Sequence, residues 1–349
     1  MMSETVAQIG EFGLIRRIRN LLEKEGAKST RITLGIGDDT ASFLPREGYE
    51  LLVTCDTLVE GRHYLPEFIS PFDLGRRAMA VNISDIGAMA GHPLYGLVSL
   101  GLKSDTELTY VEEMYRGFIA ELDPFGACII GGNITASGNG LFIDITLIGE
   151  VETGRRVQRS TAKPGDVILV TGYPGESGAG LRILMLARSK PELRTHPLIK
   201  AHLVPSHRAR EGAAVGRTGC ATAMIDTSDG FLGDLGHICE ESGVGALLFA
   251  GTFPVSENLK AGAKILAEDS LELFMAESDD YELIITCSRN HVTQVRSAIA
   301  SSFAGPVSEV GRVTEREKGM RLVETDGSER EIRAAGWDHF SLKNKTEHP

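Results

Sequence analysis

Long apolar runs, a basic surplus and paired cysteines are all scarce in this sequence, and each shortage removes a class of protein. No stretch approaches the eighteen or so apolar residues of a membrane span, and the first residues lack the apolar core of a secretory signal. A cytoplasmic protein with no membrane partner is therefore expected. Acidic residues outnumber basic ones by 48 to 36, for a net charge of −12. A broad nucleic-acid or anionic-lipid footprint needs a basic face, so neither partner is expected. The five cysteines, Cys55, Cys128, Cys220, Cys239 and Cys287, show no C-x-x-C spacing, and three sit in apolar stretches. Buried reduced thiols are expected rather than disulfides or zinc.

Two nucleotide-handling signatures are missing as well. There is no G-x-x-x-x-G-K-[ST], which excludes a P-loop cradle, and neither H-R-D nor D-F-G, which excludes an ordinary protein kinase.

What remains is ample for two α/β domains: 349 residues, 42% of them hydrophobic. Apolar residues at Phe12, Ile15, Ile18, Leu21 and Leu22 mark a helix that Gly26 stops. A second helix enters after Pro71 through "PFDLGRRAMAVNISDIGAMAG", and a third follows in "ELTYVEEMYRGFIAELDPFG". "YELLVTC", "PLYGLVSLGL", "ACIIGG" and "LFIDITLIGEV" read as strands. The polar stretch "ETGRRVQRSTAKPGD" is the best boundary, giving domains 1–155 and 156–349. Beyond it "VILVTG", "ATAMID", "GALLFA" and "YELIITC" read as strands, and "GESGAGLRILMLAR", "GFLGDLGHICEESG" and "RNHVTQVRSAIASSF" as helices. Strands and helices mix without strict alternation, which predicts an α+β or mixed α/β fold rather than a barrel of eight repeats.

Acidic residues beside glycines carry the chemistry. Asp38 and Asp39 follow Gly35 and Gly37 in "GIGDDTASF"; alone, the pair reads as a solvated turn. Asp56 directly follows the apolar run "ELLVTC", where a strand end would deliver it to a site. Asp85 stands in a helix rich in Ala, Gly and Met, company in which a carboxylate needs a partner. Asp226 and Asp229 in "MIDTSDGF" repeat the strand-end pattern. Acids gathered at several junctions suit Mg2+, a hard cation that takes oxygen ligands and shares them with phosphates. "GGNIT", residues 131–135, offers two glycines for close backbone approach and then Asn133, a neutral amide.

In order, "GIGDDTASF", "TCDTLVEGRHY", "RAMAVNISDIGAMAGHPL", "AKPGDVILVTGYPGESGAGL", "DTSDGFLGDLGHI", "DDYEL" and "GWDHF" resemble the thiamine-monophosphate kinase family of the aminoimidazole ribonucleotide synthetase-like superfamily. The likeness runs from about Glu11 to Phe340. It implies ATP-dependent phosphorylation of thiamine monophosphate to thiamine diphosphate by direct transfer. It also implies a two-domain fold, with an N-terminal ATP- and Mg2+-binding domain whose sheet pairs across a homodimer. A C-terminal α/β sandwich would complete the nucleotide and substrate sites. Several Mg2+ ions and ATP as co-substrate come with it, and K+ is a candidate monovalent ion.

By the family pattern, Asp38, Asp39, Thr54, Cys55, Asp56, Asp85, Asn133, Asp226 and Asp229 fall on metal positions. Gly132, Asn133, Arg159 and Ser228 fall on nucleotide positions, and His63, Asp279, Asp280 and Trp337 on substrate positions. Asp85, Asp226 and Arg159 are the expected catalytic residues. The chain departs from the pattern at Asn133, where the family usually has Asp, and in "ESDDYEL", where Gly-Gly-Glu-Asp-Tyr-Glu-Leu is usual. Two alternatives stay open on the sequence: a related ATP-dependent enzyme with another small substrate, and a non-catalytic nucleotide- or thiamine-phosphate-binding protein.

Overall fold

In a computed structural model of the chain, residues 4–333 are described, and the chain divides into two compact units, Met1–Arg156 and Val157–Pro349. The N-terminal unit contains helices α1 (Val6–Glu25), α2 (Pro71–Ala88) and α3 (Leu108–Leu122) and strands β1 (Ile32–Leu34), β2 (Ser42–Phe43), β3 (Tyr49–Val59), β4 (His92–Leu102), β5 (Cys128–Ala136) and β6 (Phe142–Glu152). β1 and β2 form a small ribbon; the main sheet runs β3-β6-β4-β5, antiparallel except for the β4/β5 pair.

α2 begins where its sequence directs. The Ser70 hydroxyl accepts the Asp73 N–H at 3.1 Å, and Pro71 at the first position loses no hydrogen bond there. The helix packs on β3, β4 and β6. Leu74, Met79, Ile83 and Ile86 of α2 are buried, as are Val98, Leu100, Ile143, Ile145 and Leu147 of the sheet. Each such side chain contributes about 1.5–3 kcal/mol on burial, so this layer is the main source of the unit's stability.

Two strands differ from the sequence expectation. β3 does not stop at Cys55 but continues to Val59, because β6 pairs with it without a break from Tyr49↔Glu152 to Val59↔Phe142. Asp56 therefore lies inside a strand, not at its end. β5 likewise runs through the whole of "GGNIT", carried by parallel pairing with β4 past a bulge between Gly96 and Leu97.

The C-terminal unit contains strands β7 (Val167–Thr171), β8 (Ala221–Asp226), β9 (Val244–Phe249), β10 (Leu283–Cys287), β11 (Val307–Glu315), β12 (Met320–Val323) and β13 (Glu329–Glu331). Its helices are α4 (Glu176–Leu186), α5 (Pro197–Leu203), α6 (Ala209–Thr218), α7 (Phe231–Ser242), α8 (Glu257–Leu266), α9 (Ser270–Met275) and α10 (Val292–Ile299). One seven-stranded sheet has the order β13-β12-β9-β11-β7-β10-β8, mostly antiparallel with a parallel β12/β9 pair. β7 and β10 are buried at every position, which their unbroken apolar runs require. β10 starts at Leu283, two residues after the expected Tyr281, because Tyr281 holds a positive φ of 55° that no strand accommodates. The mixed α/β class follows from these two sheets and their helices.

Candidate active site

Neighbouring residues of β3 face opposite sides of the sheet, and hydrogen bonds identify each side. The Thr54 hydroxyl donates to the Asp85 carboxylate on α2, so Thr54, Asp56 and Leu58 face the helix. Cys55 and Thr57 face away from it. There the Thr57 hydroxyl donates to Asp144 of β6 at 2.7 Å, and the Cys55 thiol donates to the same carboxylate at 3.4 Å. Of the residues singled out in this unit, Thr54 and Asp85 are thus brought into contact, and Asp56 shares their side of the sheet. The thiol of Cys55 is on the other.

Asp38 and Asp39 occupy the exposed loop between β1 and β2, where the Asp38 carboxylate accepts the Asp39 N–H at 2.8 Å. His63 folds back on the end of β3: its Nδ1 accepts the Val59 N–H at 2.9 Å, which leaves the ring proton on Nε2. Asn133 is exposed on β5, an edge strand, in register with Ser99. A Cβ at Gly132 would come within 1.9 Å of the Val98 carbonyl oxygen, and φ there is 154°. Only glycine lets the two strands approach this closely.

In the C-terminal unit, Asp226 is the last residue of β8 and is buried. Ser228 and Asp229 follow in the turn to α7, half-buried. Gly230 ends that turn with φ 110°, and a Cβ on it would lie 2.6 Å from the Ala276 carbonyl oxygen. Asp234, in the first turn of α7, reaches back and accepts the Asp229 N–H at 3.0 Å and the Ser228 N–H as well. Burial, then the charge of Asp226, pushes its carboxyl up to about 8. Ligand atoms of Asp229, Asp234 and His237 all lie within 4.8 Å of one another. Sequence reasoning missed Asp234 and His237, although their i, i+3 spacing on the helix expected after Gly230 would have put them on one face.

A second cluster forms where the loop before β10 meets the start of α4. Asp280 accepts the Gly175 N–H at 2.6 Å and the Ser177 N–H at 2.7 Å, and the Ser278 hydroxyl accepts the Gly178 N–H at 2.8 Å. The Ser177 hydroxyl donates to Asp279, and Nδ1 of the buried His202 on α5 lies 3.1 Å from that hydroxyl. Ser278 and Asp280 thereby satisfy N–H groups that a helix start leaves open, while Asp279 takes the Ser177 hydroxyl. Ser278, a departure from the family pattern, is one of these caps. Loss of hydration pushes the Asp280 carboxyl up to about 7 despite the opposing N–H donors.

The same loop is tied to the β8–α7 turn. Tyr281 N–H donates to the Thr227 carbonyl at 2.8 Å, and Thr227 N–H donates to the Glu282 carbonyl at 2.8 Å. Asp226 is in register with Leu283. Asp226, Ser228, Asp229, Asp279 and Asp280 therefore share one neighbourhood at this end of the sheet. Arg159 is exposed, its carbonyl accepting the Ser242 hydroxyl at 2.9 Å. Trp337 lies outside the described residues.

Two family models match the chain: AIR synthase related protein, N-terminal domain, over residues 37–151, and the C-terminal domain of the same description over residues 163–323. Two such units define a member of the AIR synthase related class. A thiamine-monophosphate kinase of Escherichia coli O157:H7 is 34% identical over 333 residues, covering 95% of this chain and 98% of that protein. One of Bacillus subtilis (strain 168) is 33% identical over 316 residues, covering 88% and 94%. Among solved structures, the thiamine-monophosphate kinase of Stenotrophomonas maltophilia K279a aligns with a TM-score of 0.76 at 31% identity, covering 94% and 98%. A structure named AaThiL complexed with AMPPCP and TMP aligns with a TM-score of 0.73 at 32% identity, covering 97% and 100%. This chain belongs to the thiamine-monophosphate kinase family, as the ordered motifs implied.

Proposed function

We infer that the chain transfers the γ-phosphoryl group of ATP to thiamine monophosphate, giving thiamine diphosphate. The observation that carries this reading is full-length similarity to thiamine-monophosphate kinases, one of them solved with AMPPCP and TMP. Phosphoryl transfer between two polyanions needs little covalent help from a protein; it needs positioning and compensation of charge.

The donor set of each unit suits divalent cations. Asp226, Asp229 and Asp234 bring three carboxylates together, and burial first, then the charge of Asp226, pushes the Asp234 carboxyl up. Asp226 and Asp229 would hold Mg2+ in the C-terminal unit; Asp85, Asp56, Thr54, Asp38 and Asp39 would do so in the N-terminal unit. When bound, the cations offset charge on the phosphate oxygens. Thr54 orients the Asp85 carboxylate by hydrogen bonding, and Cys55 would meet a cation beside Asp85 through its main chain rather than its thiol. Gly132 lets the backbone come close to phosphate, with Asn133 as a neutral oxygen donor and Ser228 as a nucleotide contact. Exposed Arg159 supplies a cation. His63 presents Nε2–H to substrate. Asp280 acts through the start of α4, whose N–H groups it caps, and Asp279 through the Ser177 hydroxyl there. Trp337 retains its family role as a substrate residue, and K+ is held as a monovalent activator.

The N-terminal unit is assigned nucleotide and metal binding and pairing with a second copy, the C-terminal unit completion of the nucleotide and substrate sites. Support for pairing comes from the face of β3 turned away from α2, where Leu51 and Val53 are exposed apolar residues.

The test is formation of ADP and thiamine diphosphate by the purified chain with ATP, thiamine monophosphate, Mg2+ and K+. Asp85→Asn should keep its fold, since an amide still accepts from Thr54, and lower kcat by about 100-fold or more. Absence of thiamine diphosphate across a range of Mg2+ would sink the reading; near-normal turnover by Asp85→Asn would remove that residue from the mechanism.

A further inference from the structure

We propose that Asn82 is a positioning residue of the N-terminal unit, its buried amide oxygen accepting a hydrogen bond from a water molecule on the cation that Asp85 would hold. Asn82 lies on the face of α2 that meets the sheet. Met79, Asn82 and Ile86 fall at i, i+3 and i+7, one stripe of the helix. A Cβ on Gly96 of β4 would stand 3.7 Å from the Met79 methyl group, and one on Gly149 of β6 would stand 2.6 Å from the Ile86 side chain. Asn82 is fully buried between these two apolar neighbours.

A buried amide has two ends to satisfy. Nδ2 donates to the Ala78 carbonyl one turn back at 3.1 Å, which fixes which end is nitrogen. Oδ1 is buried as well and, among the described residues, accepts no hydrogen bond. An open buried acceptor costs stability, and an apolar side chain of the same size would avoid that cost. Folding alone therefore gives no reason for Asn at this place; a hydrogen-bond donor that arrives with a ligand does.

Position identifies the donor. Asp85 is three residues further along α2, on the same side, and takes the Thr54 hydroxyl from β3. Side chains at that spacing start about 5–6 Å apart, which leaves room for one water between the Asn82 oxygen and an ion at Asp85. Mg2+ keeps several waters, and a water whose lone pair faces the ion has only protons to offer its other neighbours. A neutral oxygen meets that need without burying another negative charge. The inference deepens the metal side of the reading above, rests on it only through the cation at Asp85, and does not require thiamine monophosphate as substrate.

The experiment is calorimetric titration of Mg2+ into the full, metal-stripped chain without nucleotide, with thermal melting of the same samples. Asp85→Asn identifies the Mg2+ site in question by its loss. Asn82→Leu, close in size but without polar atoms, should melt no lower than the wild type when metal-free, yet raise the Mg2+ dissociation constant of that site at least about tenfold. Asn82→Ala should weaken Mg2+ equally, and it decides the matter if the Leu variant fails to fold. Asn82→Ser keeps an oxygen that accepts and should recover part of the affinity. Adding Asn82→Leu to Asp85→Asn should weaken the remaining Mg2+ binding no further, because the two residues act on one ion. Unchanged Mg2+ affinity in the Leu or Ala variant, the same loss with Asp85→Asn already present, or no Mg2+ site that depends on Asp85 overturns the proposal. A loss coupled to Asp85 upholds it even where no thiamine diphosphate forms, so its failure and that of the kinase reading are separable.

Discussion

Asp280 meets two opposed demands: its oxygens hold the Gly175 and Ser177 N–H groups at the start of α4, yet loss of hydration pushes its carboxyl up to about 7. An aspartate raised from its unfolded value of about 3.9 stabilises the fold fully below that value and loses the contribution as pH rises through its folded value. The urea midpoint of the nucleotide-free protein should therefore fall between pH 5 and pH 8. Asp280→Asn, which cannot ionise, should be less stable at pH 5 by about 1–2 kcal/mol, because its amide faces an N–H, but should lose less on going to pH 8. Parallel pH dependences for the two proteins would contradict this. Placement was legible in sequence where an acid stands at a strand-to-helix junction, as for Asp226 at the end of β8 and Asp229 in the turn after it. It was not legible where the partner is remote: Gly175 lies 105 residues from Asp280, and no local pattern announces a helix start that far away. Asp234 and His237 escaped because they sit inside an otherwise apolar helical stretch, whose periodicity reads as packing.

Elements show the same division between local and remote causes. α2 and its entry were readable from Ser70, Pro71 and the small residues that follow, since caps and propensities are local. The ends of β3 and β5 were not, because pairing with β6 and β4 decides where a strand stops. β11, central between β9 and β7, was missed altogether: Ser308, Glu309, Gly311 and Arg312 dilute its apolar pattern, and its neighbours make it a strand. Three elements of the C-terminal unit are joined by one buried ion pair. Arg208, at the start of α6, donates from Nε at 2.7 Å and from Nη2 at 2.5 Å to Glu282 before β10, and the Thr171 hydroxyl at the end of β7 donates to the same carboxylate at 2.5 Å. The guanidinium also stacks 4.2 Å from the Phe303 ring centroid. Arg208→Ala leaves the Glu282 carboxylate buried without its cation and should cost about 3–5 kcal/mol in urea denaturation at pH 7. Replacing both partners, Arg208→Met with Glu282→Met, should recover a large part of that loss, since the penalty belongs to the stranded charge. A single-variant change below about 0.5 kcal/mol would mean that solvent reaches the pair freely.

For the whole molecule, the division at Arg156 leaves the N-terminal sheet with one face on α2 and another that carries Val53 at 66% and Leu51 at 44% exposure. Exposed apolar residues next to one another on an open strand face are unfavourable in water and also invite uncontrolled association, so a specific partner surface accounts for them best. On the pairing proposed above, a second copy supplies that surface without any further protein, and a two-fold interface presents each residue twice. Val53→Asp would then place two carboxylates in one interface. Each would need hydration that the pairing removes, and the two would repel if they met across the axis. Because Val53 is largely exposed within its own unit, the substitution should leave the fold and its melting temperature nearly unchanged. Sedimentation equilibrium should show the wild type as a dimer and Val53→Asp as a monomer at the same concentration, with the dissociation constant raised at least about 100-fold, equivalent to about 2.8 kcal/mol. A wild type that sediments as a monomer, or a Val53→Asp variant that stays dimeric, would place the pairing surface elsewhere.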